Sequence, residues 1–254
     1  MKKIKLSLIT FAILLASCET CDLQKACDLA IPIIVDLYDS YGQPMIDNYG
    51  NQAKGHNELY YNERTGEWFN SDYAPQYGLL VGDIIQVGTQ IFNNYVSTEC
   101  EKSKDAGSSN TQPQAHIQLA NGQQANINLE TFMPTGPIKE NESKWTATKI
   151  QFYGSGNYGF DFNANYDGKL DELNYNNNLY NSNAGNYGKN SQFGFFVAEN
   201  PSFPGTTDNI NEFVQSYNAP KTIIEMEEME IMKFVNSPKY AQWLQSKIAL
   251  SSNK

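Results

Sequence analysis

The feature that most constrains the fold is an alternation of apolar and polar residues over short segments bounded by turn residues. It is clearest in HIQLANGQQANINLE, residues 116–130. The apolar members lie on either side of the dipeptide Asn121-Gly122 and are Ile117, Leu119, Ala125, Ile127 and Leu129. A period of two places such side chains on one face of a strand, and Asn-Gly between two strands favours a type I′ turn. The segment therefore predicts a β-hairpin with one buried face.

Other segments with strand character occur along the chain. They are LAIPIIVDLY (29–38), DIIQVGTQIF (83–92), TKIQFYG (148–154), YGFDFNANY (158–166) and QFGFFVA (192–198). Their expected inward residues include Ile85, Val87, Thr89 and Ile91, then Phe160, Phe162 and Ala164, and finally Phe193, Phe195 and Val197. Pro32 favours an edge position for the first strand. Several short strands separated by turn signals predict a mainly β fold, an antiparallel β-sandwich.

The C-terminal part of the chain, residues 201–254, has a different pattern. TIIEMEEMEIMKFV, residues 222–235, contains no Gly or Pro and many good helix formers. Ser237 can cap a second helix that has Pro238 in its first turn. The residues after it form an apolar stripe at helical spacing, made of Tyr240, Trp243, Leu244 and Ile248. The aliphatic stem of Lys247 extends this stripe. We expect two helices that pack on or beside the sandwich; the alternative is an arm that docks on a partner.

The N-terminus has the pattern of an export signal. A basic start, MKKIK, precedes the apolar stretch LSLITFAILLA, which is too short to span a bilayer. LASC, residues 15–18, follows and resembles the lipobox of bacterial lipoproteins. That resemblance implies cleavage before Cys18, acylation of Cys18 by palmitate-type chains, and a stable lipid anchor in the cell envelope. The alternative is an ordinary secretory peptide that is cut at a nearby small residue.

The charge balance excludes some partners. The formal net charge is −10, and removal of residues 1–17 would take away Lys2, Lys3 and Lys5 but no acidic residue, which leaves −13. A chain with this charge is repelled by nucleic acid and by anionic lipid, so we expect no nucleic-acid partner. Glu19 and Asp22 loosely resemble surface-export signals, which favours the outer membrane or the cell surface.

Five stretches follow one another along the chain in a fixed order: CDLAIPI, GDIIQVGTQIFNN, HIQLANGQQANINL, GNYGFDFNANYDGKLDELNYNNN and QFGFFVA. Their order resembles the CARDB-type domain, an immunoglobulin-like module of bacterial surface proteins. The resemblance covers residues 28–200 in patches. It implies an immunoglobulin-like sandwich that serves adhesion or ligand presentation, and it brings no catalytic residues.

The predicted organisation follows from these segments. Residues 1–17 are a lipoprotein signal peptide, and residues 18–27 are a lipidated tether. Residues 28–200 form the CARDB-like sandwich, with residues 45–80 as a long aromatic-rich insertion. Residues 201–254 are a linker and the C-terminal helices.

Residues 163–174 can be interpreted as a calcium loop or as a turn. Asn163, Asn165, Asp167 and Asp171 occupy ligand positions of an EF-hand-type loop. The first position lacks the preferred Asp, the last lacks the bidentate Glu, and a strand rather than a helix precedes the loop. Asp167-Gly168 equally predicts a hairpin turn. We expect the turn, and Ca²⁺ is the one candidate cofactor.

The segment ELYYNERTGEWFNSDYAPQYG, residues 58–78, is the strongest candidate for ligand binding. It interleaves rings with polar side chains, and its candidate residues are Tyr60, Tyr61, Arg64, Trp68, Phe69, Tyr73 and Tyr77. Flat rings stack on the apolar face of a sugar, while amides and carboxylates bind its hydroxyl groups. The alternative is that these rings fill the core. Arg64, the single arginine, can pair with a carboxylate or stack on a ring.

Cysteine and histidine add little chemistry. An export route permits disulfides, and Cys27 with Cys100 is the plausible pair if Cys18 is acylated. The two histidines, His56 and His116, have no spacing typical of a catalytic or zinc site. We therefore expect a non-catalytic, lipid-anchored envelope protein whose sandwich presents loops to a protein or a glycan. A carbohydrate-binding lipoprotein that uses the residues from Tyr60 to Tyr77 is the alternative, and an envelope hydrolase is less favoured.

Overall fold

The structure is a computed structural model, and it describes residues 24–98, 101–129, 133–181, 194–218 and 229–251. The predicted leader, the lipobox and Cys100 lie outside these ranges. Sixteen strands, three α-helices and a short 3₁₀ turn form within them. Among the described residues, no helix is long and apolar enough to cross a membrane.

The elements are distributed along most of the chain. The strands are β1 (Gln24–Ala26), β2 (Leu29–Ala30), β3 (Ile34–Asp36), β4 (Lys54–His56), β5 (Glu58–Asn62), β6 (Glu67–Phe69), β7 (Leu79–Leu80), β8 (Ile84–Asn93), β9 (Glu101–Ser103), β10 (Ser109–Leu119), β11 (Gln124–Asn128), β12 (Met133–Thr135), β13 (Glu142–Gln151), β14 (Gly156–Asn163), β15 (Leu179–Asn181) and β16 (Phe195–Ala198). The helices are α1 (Ile210–Asn218), α2 (Glu230–Val235) and α3 (Pro238–Ser251), and the 3₁₀ turn is Tyr175–Asn177.

Two sheets form the body of the protein. One has the strand order β11-β10-β14-β16-β7, with β12 beside β10 and β15 beside β14. The other has the order β13-β8-β5-β6, with β2 beside β8. The long pairings, β10 with β14 and β8 with β13, are antiparallel. The sequence-based prediction of an antiparallel β-sandwich is confirmed.

The core lies between the two sheets and is made by the faces that alternation predicted. Ile85, Val87 and Ile91 of β8 are fully buried and share one cluster with Phe160 and Phe162 of β14. Rings from both sheets meet in this cluster. Because buried aromatic side chains bring large apolar areas together, they account for much of the contact between the sheets.

The predicted hairpin is present, but its turn differs from the expected type. Ile117 pairs with Ala125, and the Leu119 N–H donates to the Gln123 carbonyl. Gly122 has a φ of 86°, whereas Asn121 is not left-handed. The loop therefore has three residues and ends in a left-handed glycine, as in a type I turn with a bulge, and the type I′ prediction is wrong. The Asn121 side chain favours this geometry because its Oδ1 accepts from the Gln123 N–H.

The predicted insertion at residues 45–80 is only partly separate from the sandwich. Strand β5 pairs with β8 inside the second sheet, and β6 pairs with β5. Residues 37–53 lie outside both sheets and form what we call the twin-turn unit. In it the Met45 N–H donates to the Leu37 carbonyl, the Ala53 N–H donates to the Met45 carbonyl, and the Leu37 N–H donates to the Ala53 carbonyl. These three hydrogen bonds link Leu37, Met45 and Ala53 into a closed ring. The three residues are apolar and lie eight positions apart in the sequence.

Two C-terminal helices cover the outer face of the second sheet. Ile231 of α2 is fully buried over Gly88, and its N–H donates to Gln86 Oε1 at 3.0 Å. Helix α3 begins at Pro238 as predicted, and its Leu244 and Ile248 pack on the twin-turn unit. The predicted stripe of α3 is thus buried against this chain. The helices therefore act as a structural cap on the sheet. The surface on which they pack belongs to this chain, whereas the docking-arm alternative placed that surface on a partner.

Helix α1, which the sequence analysis did not separate from the linker, packs against the sandwich core. Phe213 and Tyr217 of this helix are almost fully buried in the core cluster. The Tyr217 hydroxyl donates to the Gln151 carbonyl at 2.5 Å, and the Phe213 and Tyr158 ring centroids are 6.1 Å apart. The helix therefore joins residues after the last strand to the core.

Candidate functional site

The predicted calcium segment is organised around a buried carboxylate, Glu172. Its Oε1 accepts from the side-chain amides of Asn165 at 2.5 Å and Asn178 at 2.8 Å, and its Oε2 accepts from the Leu29 N–H at 3.0 Å. Burial raises the pKa of Glu172, although these three donors act in the opposite direction. The carboxylate holds the loop after β14 against the first strand of the second sheet.

Asn165 is fully engaged within this loop. Its Oδ1 accepts from the Leu170 N–H at 3.1 Å, and its amide donates to the Leu170 carbonyl as well as to Glu172. With a φ of 47°, Asn165 adopts the left-handed conformation that asparagine tolerates better than most residues. Its side chain therefore builds the turn, and its oxygen is already used by the backbone.

The other predicted calcium ligands have separate environments. Asp167 Oδ2 accepts from Asn110 at 2.9 Å and pairs with Lys169 at 2.7 Å, while Asp171 is exposed and Asn163 ends β14. Burial raises the pKa of Asp167, but the contacts with Lys169 and Asn110 dominate and lower it overall. Asp167 Oδ1 is buried and has no hydrogen-bond partner among the described residues. Within those residues, no group of three or more His, Cys, Asp or Glu side chains is placed to hold a metal. The calcium site stays a prediction that the position of Asn165 does not favour.

The expected hairpin at Asp167-Gly168 is also more elaborate than predicted. Strand β14 pairs with β15, so the second strand begins only at Leu179. The turn at residues 164–168 lies within a longer connection that the Glu172 contacts hold in place. The Asp-Gly turn signal in the sequence thus marked where this connection starts, but no sequence signal marked where it ends.

The aromatic segment at residues 58–78 does not form an exposed row of rings. Tyr60 and Phe69 are 3% and 1% exposed and belong to the core. Tyr61 and Trp68 are half-buried under α2, where the Trp68 ring stacks on Phe234 with centroids 3.9 Å apart. Most of these rings therefore fill the core or support the helices, which is the alternative that the sequence left open.

The remaining members of that segment lie nearer the surface. Tyr73 is half-buried beside Trp243, and Lys247 Nζ lies 5.6 Å from the centre of its ring. Tyr77 is 69% exposed. Arg64 makes the predicted carboxylate pair, with Nε and Nη2 donating to the two oxygens of buried Asp83 at 2.5 and 2.9 Å. This pair forms one wall of a cavity of about 350 Å³.

Cys27 is a free, buried thiol that donates to the Asp171 carbonyl at 3.3 Å. Burial, with a contribution from the charge of Glu172, raises the pKa of Cys27 to about 11. The disulfide predicted with Cys100, which lies outside the described residues, is therefore not seen at Cys27. The thiol instead belongs to the contact between the first strands and the loop around Glu172.

Both histidines are paired with carboxylates in the interior. His56 Nδ1 lies 2.8 Å from Asp72 Oδ1. His116 Nε2 lies 2.6 Å from Asp161 Oδ2, and its Nδ1 lies 2.7 Å from Asn126 Oδ1. The hydrogen bond to Asp161 raises the pKa of His116, a shift that burial opposes and the bond to Asn126 supports. Neither histidine lines a cavity described in this structure.

Among the described residues, a groove of about 590 Å³ lies on the helix-covered side of the second sheet. One wall is formed by residues 35–40, of which residues 37–40 belong to the twin-turn unit. The floor includes residues 143–145 of β13, and the opposite wall is the corner between α2 and α3. The volume falls within the range of small-molecule and cofactor sites, about 300–1,000 Å³. We call this surface the groove.

The groove combines rings with short polar side chains. Tyr38, Trp145 and Tyr240 line it, and the Trp145 and Tyr240 rings meet edge to face with centroids 5.8 Å apart. The sequence analysis missed the site because its parts come from three distant segments. The signal that could have indicated one wall is the recurrence of Asp-x-Tyr-Gly at residues 39–42 and 47–50.

The fold and the groove define a class of protein: an antiparallel β-sandwich with one helix-capped face that carries a ligand-sized groove. No family model matches the sequence, and no curated protein matches it. Solved structures with some similarity do exist. One is the CARDB domain of the PF1109 protein from Pyrococcus furiosus, described as a complex with di-metal ions, at 17% identity and a TM-score of 0.23. That match covers 40% of this chain and 72% of the other.

A second similar structure is the C-terminal domain of wzt, at 11% identity and a TM-score of 0.26. This chain covers 56% of that domain, and the match covers 42% of this chain. The sandwich itself rests on the strand pairing described above.

We predict that Glu172→Gln destabilises the fold. All three partners of the carboxylate are hydrogen-bond donors. The side-chain amide nitrogen of glutamine is also a donor, so the partner that faces it would lose its acceptor. The expected loss in the free energy of unfolding at neutral pH is about 1–3 kcal/mol, measured by urea denaturation. Exposed Glu199 offers the matched control, and Glu199→Gln should be neutral. Equal stability of the two variants would contradict the role given to Glu172.

The His116 pair predicts a pH dependence of stability. Because the folded-state pKa of His116 is raised, its stabilising contribution is fully present below the unfolded pKa of about 6.5. It is lost as the pH rises through the folded-state value. The stability difference between the wild type and His116→Gln should therefore be largest at acidic pH, about 1.5–3 kcal/mol for hydrogen bonds to a charged group, and should shrink as the pH rises. Denaturant titrations of both proteins from pH 5 to pH 9 measure it, and a constant difference would refute the interpretation.

Proposed function

We propose that this chain is a non-catalytic, lipid-anchored protein of the bacterial cell envelope that binds a protein or glycan ligand in the groove. The groove is the observation that carries the proposal. It is concave, has a ligand-sized volume, and combines aromatic rings with hydroxyl and amide groups. Its walls are secondary-structure elements and a hydrogen-bonded turn unit, which favours a site that is largely preformed.

The anchoring part of the proposal rests on the sequence. The basic start, the apolar stretch and LASC at residues 15–18 occur in the order that a lipobox requires. Acyl chains on Cys18 would leave the sandwich joined to the membrane by residues 18–27. The outer membrane or the cell surface is the location that this arrangement favours.

The second candidate is carbohydrate binding by the residues from Tyr60 to Tyr77. Tyr73 and Tyr77 remain available at the surface, whereas Tyr60 and Phe69 are core residues. The geometry therefore favours the groove over this segment as the place where rings meet a ligand. The hydrolase alternative draws no support from the histidines, because neither His56 nor His116 lines the groove or the cavity beside Arg64.

The anchoring proposal is tested with Cys18→Ala in the full chain. The variant should lose incorporation of a clickable palmitate analogue and should move from the membrane fraction to the soluble fraction, because the acylated side chain is gone. Cys21→Ala, three residues away, is the matched control and should stay acylated and bound to the membrane. Tight membrane association of the Cys18→Ala protein would contradict the lipid anchor.

The binding proposal is tested by photo-crosslinking on intact envelopes. A benzophenone amino acid at Ser40, an exposed residue of the groove wall, should form adducts on irradiation. The same group at exposed Tyr95, which does not line the groove, is the control and should not form them. Sensitivity of the adduct to protease or to periodate identifies a protein or a glycan. Equal labelling at the two positions would rule out the groove as the binding site.

A further inference from the structure

The twin-turn unit is a tandem repeat in which two identical turns each project a tyrosine. Asp39 Oδ1 accepts from the N–H groups of Tyr41 and Gln43, both at 2.8 Å. Eight residues later, Asp47 Oδ1 accepts from the N–H groups of Tyr49 and Asn51, both at 2.9 Å. The glycines that follow the two tyrosines, Gly42 and Gly50, have φ values of 74° and 81°. Each tip is thus held by its own aspartate and a left-handed glycine.

The tyrosines at the two tips are among the most exposed large side chains described. Tyr41 is 86% exposed and Tyr49 is 90% exposed. The base below them is fixed, because Leu37, Met45 and Ala53 are buried against α3. A rigid base with outward rings presents apolar area at low cost in conformational entropy, since tyrosine has few rotatable bonds.

The first turn is continuous with the groove. Tyr38, which is 50% exposed, and Asp39 and Ser40 line the groove and lead directly to Tyr41. The groove and the tip of the first turn therefore form one surface, and the second tip belongs to the same hydrogen-bonded unit. A ligand larger than the groove would extend onto the tyrosine tips.

The polar groups on this surface are mostly neutral. Ser143, Asn236 and Ser237 line the groove, and hydroxyl and amide groups can both donate and accept hydrogen bonds. Three charged side chains also line the groove: Asp36, which pairs with Lys54 at 3.3 Å, Asp39, whose Oδ1 atom is held by the turn, and Lys144. The two aspartates are thus balanced by two lysines, and with a net charge of −10 on the whole chain there is no excess of positive charge to attract an anionic ligand.

We infer that the groove and the tips of the twin-turn unit bind a neutral oligosaccharide. Sugar hydroxyls, like serine and amide groups, both donate and accept hydrogen bonds, and the apolar faces of sugar rings fit beside flat aromatic side chains. Trp145 and Tyr38 contact the sugar units in the groove, and Tyr41 and Tyr49 contact the units that extend beyond it. This inference rests on the proposed function, because it names the ligand class of the same site.

The test uses the full chain carrying Cys18→Ala, which cannot be acylated at that position, presented multivalently to an array of neutral and anionic oligosaccharides. The wild type should bind a subset of neutral glycans, and its binding should change little between low and high salt. Tyr41→Ala combined with Tyr49→Ala should weaken binding to that subset by about tenfold. Both residues are exposed, so the double variant should remain folded, which circular dichroism verifies.

A matched control separates the site from general stickiness. Tyr95→Ala removes a tyrosine that is 56% exposed but does not line the groove, and this variant should bind as the wild type does. Trp145→Ala should also weaken binding, and Tyr38→Ala provides a second groove variant should the loss of Trp145 affect folding. Binding of no neutral glycan, binding of anionic glycans alone, or equal binding by all variants would overturn the inference. A protease-sensitive adduct at Ser40 in the crosslinking experiment would overturn the glycan class and leave the proposed function intact.

Discussion

The buried carboxylate of Glu172 is the interaction on which the connection between the two sheets depends. It receives donors from Asn165 and Asn178 in the loop after β14 and from the backbone of Leu29 in the other sheet. A charged acceptor in a dry environment is costly unless its hydrogen bonds are made, and here three donors make them. The cluster also explains why Glu and Asn residues follow the Asp-Gly turn in the stretch that resembles CARDB-type domains. They close a long connection, in which the Asn165 Oδ1 atom accepts from the Leu170 N–H.

The second organising constraint is the outer face of the sheet that contains β8. Gly88 leaves room on this face for Ile231, and Trp68 stacks on Phe234, so α2 lies close to the sheet. Helix α3 continues from this contact and supports the twin-turn unit through Leu244 and Ile248. The groove is the space that remains where the sheet, the corner between α2 and α3, and the twin-turn unit meet. The proposed function therefore depends on packing that first serves stability.

Sequence patterns predicted the sandwich faces well because alternation reports directly on burial. Ile85, Val87, Phe160 and Phe162 all lie where a period of two placed them. The patterns were less informative for aromatic residues. An aromatic residue in a polar segment gives the same sequence pattern whether its ring fills a core or faces a ligand. Tyr60 shows the point: it lies in a segment that is rich in polar residues, yet its ring lies 6.0 Å from Phe160 in the opposite sheet.

By itself the sequence determined the fold class, the strand faces, the helical C-terminus and the expectation of export with a lipid anchor. These features depend on local order, namely on periodicity, turn residues and the succession of basic, apolar and small residues at the N-terminus. Only the tertiary structure decided that Asn165 serves Glu172, that Cys27 is a free thiol and that a groove exists at all. The residues of the groove are separated by up to about two hundred positions, and no local pattern records which distant segments will pack together.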